Sequence, residues 1–288
     1  MPFTIKDMIY GGVAPIIVAC MLLLTLRRLL PRDLGERYSV SMATLAGFLV
    51  GYGLLSLAPW SPTAHWHWLP YALMAAAVVG AVVRAEGVRF FERLLMYLFV
   101  AIAAGWFLVP TWKDLVPSQT VHLILFVVYL VALVSLLEPL AERSTGPLLP
   151  LVLWITITAA AVVLALSGSL RFAQVALAGA GALFGVMLVT CFKRETGRET
   201  GRVTGAAFVF SMMAVGSLLI GCVHSFSEVP LASYLLVPAA PLALWSCEIG
   251  PLSRLTGVKR YFVAFSLPVT LLGSAVLLAV VAEMNSLE

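Results

Sequence analysis

Ten long apolar runs divide this chain, and its basic residues are confined almost wholly to every second gap between them. An apolar helix needs roughly 20 residues to cross a hydrocarbon layer about 30 Å thick. The spacing predicts spans over Met8–Leu26, Ser39–Pro59, Leu69–Val83, Phe91–Val109, Gln119–Leu137, Pro147–Leu166, Leu170–Phe192, Val203–Val223, Val229–Cys247 and Tyr261–Val281. Fifteen of the 18 Lys and Arg residues lie beside the odd-numbered gaps, and only Lys6, Lys113 and Arg171 lie elsewhere. Basic residues stay on the cytoplasmic side as helices insert. The expectation is an all-α, polytopic bundle of about ten membrane-spanning helices, with both termini non-cytoplasmic.

The composition agrees. Hydrophobic residues make up 61% and charged residues 11% of the 288, against roughly 45–50% and about 25% in soluble domains. Ten spans leave only short connections, so residues 1–288 are read as one integral membrane domain in the cell (inner) membrane. A cleaved signal peptide carries its positive charge before the apolar stretch; here Arg27 and Arg28 follow it. The first helix is therefore expected to be retained. Trp60, Trp66, Trp68, Trp106 and Trp112 cluster near the expected outer boundary, where amphipathic rings settle at headgroup level. The positive charge reads as a topogenic signal rather than a nucleic-acid footprint.

Basic counts of four, none and three follow spans one to three and recur after spans seven to nine. Residues 8–110 and 170–281 are accordingly a candidate parallel repeat, with spans five and six as the linking pair.

All four histidines fall at the expected outer face: His65, His67, His122 and His224. Imidazole suits metals and haem iron, so these are the candidate metal or haem ligands, with Asp114, Cys222 and Glu228 nearby. Interfacial packing is the competing account. The four cysteines show no paired spacing and read as small buried hydrophobes. Glu138 and Glu248 are expected at the solvated inner boundary, with Arg143 and Arg254 as ion-pair partners. No charged residue is expected at the middle of any span.

Span nine carries Pro238 and Pro241, and proline removes a backbone donor and kinks a helix. With Thr156 and Ser217, these are the candidate substrate-binding residues, since broken helices line transporter sites. Gly47, Gly51, Gly181 and Gly185 are candidate packing positions, where small residues let helices approach closely. Residues 194–202 repeat a charged tetrapeptide and read as a solvated loop. No catalytic motif appears and no cofactor is implied.

Base rates for ten-span proteins place a small-solute transporter or exporter first. The alternatives are a non-catalytic membrane subunit or assembly factor, and a haem- or metal-binding redox membrane protein. The bilayer is the expected partner; membrane-protein partners or a second copy remain open.

Overall fold

The protein is described from a computed structural model, covering residues 5–57, 59–83, 88–112, 115–144, 146–192, 203, 205–225, 229–249, 252 and 257–286. Helices occupy each of the ten apolar segments, and no strand occurs among the described residues. They are α1 (Ile5–Leu29), α2 (Arg32–Leu54), α3 (Leu69–Val82), α4 (Phe90–Leu108) and α5 (Gln119–Arg143). Then follow α6 (Leu148–Leu166), α7 (Leu170–Phe192), α8 (Ala206–Val223), α9 (Leu231–Cys247) and α10 (Gly257–Ser286).

Among the described residues, seven of these helices (α1, α4–α8 and α10) are long and apolar enough to cross a bilayer. The apolar part of α2, Tyr38–Leu54, and the whole of α9 are shorter, and α3 has 14 residues. Large apolar side chains cover the periphery: Phe90, Phe99 and Trp106 on α4, Ile124 and Val128 on α5, and Phe262 and Leu277 on α10 are exposed. Water could not keep so large an apolar surface in solution, whereas hydrocarbon can. The chain is a multi-pass helical membrane protein.

At the centre lies α8. Every residue from Ala206 to Leu218 is buried, the outcome expected of a helix that is apolar all round. It is surrounded by α2, α3, α5, α6, α7 and α9.

The helices α1, α2 and α7 form a second dense unit, and its seam is built from small residues. A Cβ added at Gly47 would lie 2.8 Å from the Pro15 carbonyl oxygen, and one at Gly51 would lie 2.7 Å from the Pro15 ring. On α7, a Cβ at Gly181 would meet the Gly12 carbonyl oxygen at 2.8 Å, and one at Gly185 the Ile16 carbonyl oxygen at 2.6 Å. The four glycines therefore meet the same stretch of α1, whose backbone carbonyls and Pro15 ring occupy the space where side chains would stand. Local chemistry in α1 matches this closeness. Pro15 has no N–H to offer the Gly11 carbonyl, and the helix widens into a π turn at Ile9–Val13. The Cys20 thiol also donates to the Gly185 carbonyl at 3.2 Å.

Helix ends differ from the expected spans chiefly where charge enters the helix. The amide ladder of α2 begins seven residues before Ser39, directly after Pro31. That of α5 continues six residues past Leu137, to Arg143. Apolar composition marks the hydrocarbon layer, while backbone hydrogen bonding continues into the headgroup region.

Candidate functional site

Two proline-containing helices, α5 and α9, are bridged by side-chain hydrogen bonds to each other's backbone carbonyls. In α9, Pro241 cannot supply the amide for the Val237 carbonyl. The Ala240 N–H takes that carbonyl instead, and the helix tightens to 3-10 geometry over Ala240–Cys247. A 3-10 run of this length is uncommon, and such stretches often mark hinges. In α5, Pro139 leaves the Ser135 carbonyl without its amide partner in the same way. Two side chains bridge the pair: the Tyr129 hydroxyl donates to the Leu235 carbonyl at 2.5 Å, and the Trp245 indole N–H donates to the Leu136 carbonyl at 3.0 Å. The Arg143 guanidinium lies 5.1 Å above the Trp245 ring.

Beside this junction Glu138 is 8% exposed. The buried Tyr97 hydroxyl, from α4, donates to its carboxylate at 2.8 Å. The two groups line a cavity of about 80 Å³ with Arg93, Ser135, Pro139 and Glu142. Glu142 is exposed, so the cavity leads from one end of the bundle to a buried acid. Such an environment corrects the expectation of a solvated boundary glutamate paired to Arg143. The extension of α5 turns Glu138 inward, and Arg143 stacks on Trp245. Glu248 bonds to Arg260 at 2.6 Å; its expected partner, Arg254, lies outside the described residues.

The expected substrate residues sit deeper. Thr156 and Ser217 are buried, and their hydroxyls donate to the Val152 and Met213 carbonyls of their own helices. Pro238 and Pro241 are buried as well. The helices carrying them, α6, α8 and α9, pack on one another.

At the opposite end of α4 an aromatic and imidazole cluster closes the bundle. A 3-10 turn at His65–Trp68 leads into α3. His67 is 6% exposed, and its Nδ1 accepts from the N–H groups of Thr63 at 3.1 Å and Ala64 at 3.3 Å. The Thr63 hydroxyl donates to the same nitrogen at 3.2 Å. This is one half of a capping box, with imidazole in the place usually held by a carboxylate or amide. Trp66 and His224 both pack edgewise on Phe172, and His224 also meets Trp112. The Arg171 guanidinium covers the Trp66 ring. His65 donates to the Phe107 carbonyl at 3.1 Å, and His224 to the Ile220 carbonyl at 2.9 Å.

Burial lowers the pKa of His67, and the charge of Arg171 lowers it further. For His224 burial again dominates; its hydrogen bond to Ile220 opposes the shift and His65 reinforces it. His122 stands apart on α5, half-buried, with Nδ1 donating to the Ser118 carbonyl at 3.3 Å. Among the described residues no three His, Cys, Asp or Glu side chains converge as metal ligands. Asp114 and Glu228, expected near the histidines, lie outside them.

Sequence reading assigned no role to Tyr97 or to Pro139. The signal available was the Glu138-Pro139 pair inside an otherwise helical pattern. Comparison with protein-family models, with curated proteins and with solved structures finds no match to this chain.

Proposed function

We propose that this protein is a small-solute carrier of the cell membrane, crossing it ten times with both termini outside. Under this reading, the cavity at Glu138 is the inward-facing entry to the transport path. The observation that carries the proposal is a carboxylate buried next to a proline inside its helix and lining a cavity shared with Arg93 and Glu142. Acids within membrane helices are costly and are retained at solute and proton pathways. Interrupted helices supply freed carbonyls and hinges at carrier sites; α9 changes to 3-10 geometry at Ala240, and α5 carries Pro139 within a continuous helix. Glu138 would then take up and release the coupling cation, with α5 and α9 moving about Pro139 and Ala240.

Transport is measurable without a known substrate. Proteoliposomes are loaded with a mixture of amino acids, sugars, nucleosides and organic acids, and the retained pool is read by mass spectrometry. The wild-type protein should deplete one chemical class, while Glu138→Gln should retain the pool as protein-free vesicles do. Identical pools in all three preparations would end the carrier reading.

The second reading, a non-catalytic subunit or assembly factor, draws on the filled centre around α8. It gains ground if no pool is depleted and stoichiometric partners copurify.

A further inference from the structure

We propose that the turn preceding α3 is a pH-operated latch, in which neutral His67 holds the Thr63–Ala64 segment and its protonation releases that segment. Nδ1 of His67 accepts from two backbone amides and the Thr63 hydroxyl. A nitrogen that accepts cannot carry a proton, so the ring is neutral with its hydrogen on Nε2. Imidazolium donates from both nitrogens and accepts at neither. One proton therefore abolishes both amide bonds and turns a donor toward the Thr63 and Ala64 N–H groups, while the Thr63 hydroxyl reverses its role and accepts.

The surroundings give that charge little compensation. His67 is 6% exposed. The charged group acting on it among the described residues is Arg171, at the start of α7. Tyr52 of α2 faces the same guanidinium and Tyr71 of α3. Of the other imidazoles here, His65 is committed to the Phe107 carbonyl of α4 and His224 to the Ile220 carbonyl of α8. The face of Trp66, 4.3 Å from His67 in an edgewise contact, is already covered by Arg171. Protonation thus adds a second cation near Arg171 and removes the imidazole acceptor from two amides.

The sign follows. A histidine whose folded pKa is depressed contributes stability above its unfolded pKa and loses it as pH falls through the folded value. The latch is closed at neutral pH and opens below the ordinary imidazole range of about 6.5. What opens is the Thr63–Ala64 turn that ends the connection from α2, next to exposed Ser61; the Tyr71 hydroxyl continues to hold the Trp60 carbonyl and Tyr52 the Trp60 ring. The inference stands whether or not the protein transports a solute.

A nitroxide on Ser61→Cys, in a Cys191→Ser background, reports the segment by electron paramagnetic resonance in detergent micelles. The label should be immobilised at about pH 8 and become mobile by about pH 5. In His67→Asn the amide oxygen takes the place of Nδ1 as a non-titrating acceptor, so the label should stay immobile at both pH values. In His67→Ala it should be mobile at both. A nitroxide on native Cys191, exposed at the far end of α7, should not respond to pH in the otherwise unaltered protein. A wild-type signal that is invariant with pH would overturn the latch. So would a His67→Asn variant that titrates as the wild type does.

Discussion

Gly185→Val is expected to prevent α1 from docking and to yield largely unfolded protein. The first side-chain carbon alone would lie 2.6 Å from the Ile16 carbonyl oxygen and 3.0 Å from Ala19 Cβ. The first of these atoms belongs to backbone, which cannot rotate away as a flexible side chain does. Overpacking a filled interior costs about 1–3 kcal/mol and sometimes more; a clash with helix backbone belongs at the upper end. The same displacement would break the thiol bond from Cys20 to Gly185 and reopen the contacts at Gly181, Gly47 and Gly51. Gly273→Ala is the control: nothing lies within 4 Å of the added carbon, and alanine favours helix over glycine by about 1 kcal/mol. Thermal unfolding in micelles, followed by size-exclusion chromatography, should show Gly185→Val losing its folded peak and Gly273→Ala keeping it.

The second large effect concerns the buried acid. Tyr97→Phe removes the hydroxyl that donates to Glu138 at 2.8 Å, in a region where Tyr97 is 3% exposed. Hydrogen bonds to a charged group contribute about 1.5–3 kcal/mol, and water entering the adjoining cavity replaces this donor only in part. The ring contact of Tyr97 with Phe208 survives the change, so the loss isolates the hydroxyl. Glu138→Gln, by contrast, retains an oxygen that accepts from Tyr97 and should unfold close to the wild-type temperature. Under the carrier proposal the order reverses in transport: Glu138→Gln abolishes it, while Tyr97→Phe weakens it in step with folded protein. Measuring unfolding and solute retention on the same preparations separates the two roles of this pair.

What could be read from the residues, and what could not, divides along a physical line. Apolar runs between prolines and glycines located the helices because desolvation acts on each segment by itself; α7 begins and ends where the apolar run does. The seam glycines stood out for the same reason, since a missing side chain in an apolar helix is visible without its neighbour. That all four would meet the same stretch of α1 required the fold. Glu138 was misjudged because hydropathy falls at the first charge, whereas α5 continues through Glu138, Pro139 and Glu142 to Arg143. Its burial depends on Tyr97, which arrives from another helix 41 positions away. The His67 turn was not legible: its N-cap is Ala64, which has no capping side chain, and the acceptor three residues on is a histidine. Imidazole in place of glutamate concealed it. The contacts of Arg171 with Trp66 and of Arg143 with Trp245 join segments that no sequence periodicity relates.

Charge placement and helix length give different parities for the path through the membrane. Among the described residues seven helices meet the length and apolarity needed to cross, and seven crossings would leave the termini on opposite faces. Ten crossings, counting α2, α3 and α9, bring both to the same face. Epitope tags at each end of the full chain, probed with protease on intact spheroplasts and again after permeabilisation, distinguish these outcomes directly. Both tags should be cleaved from outside before permeabilisation. Protection of either one in intact cells would contradict the ten-crossing arrangement, and with it the assignment of the Glu138 cavity to the inner face.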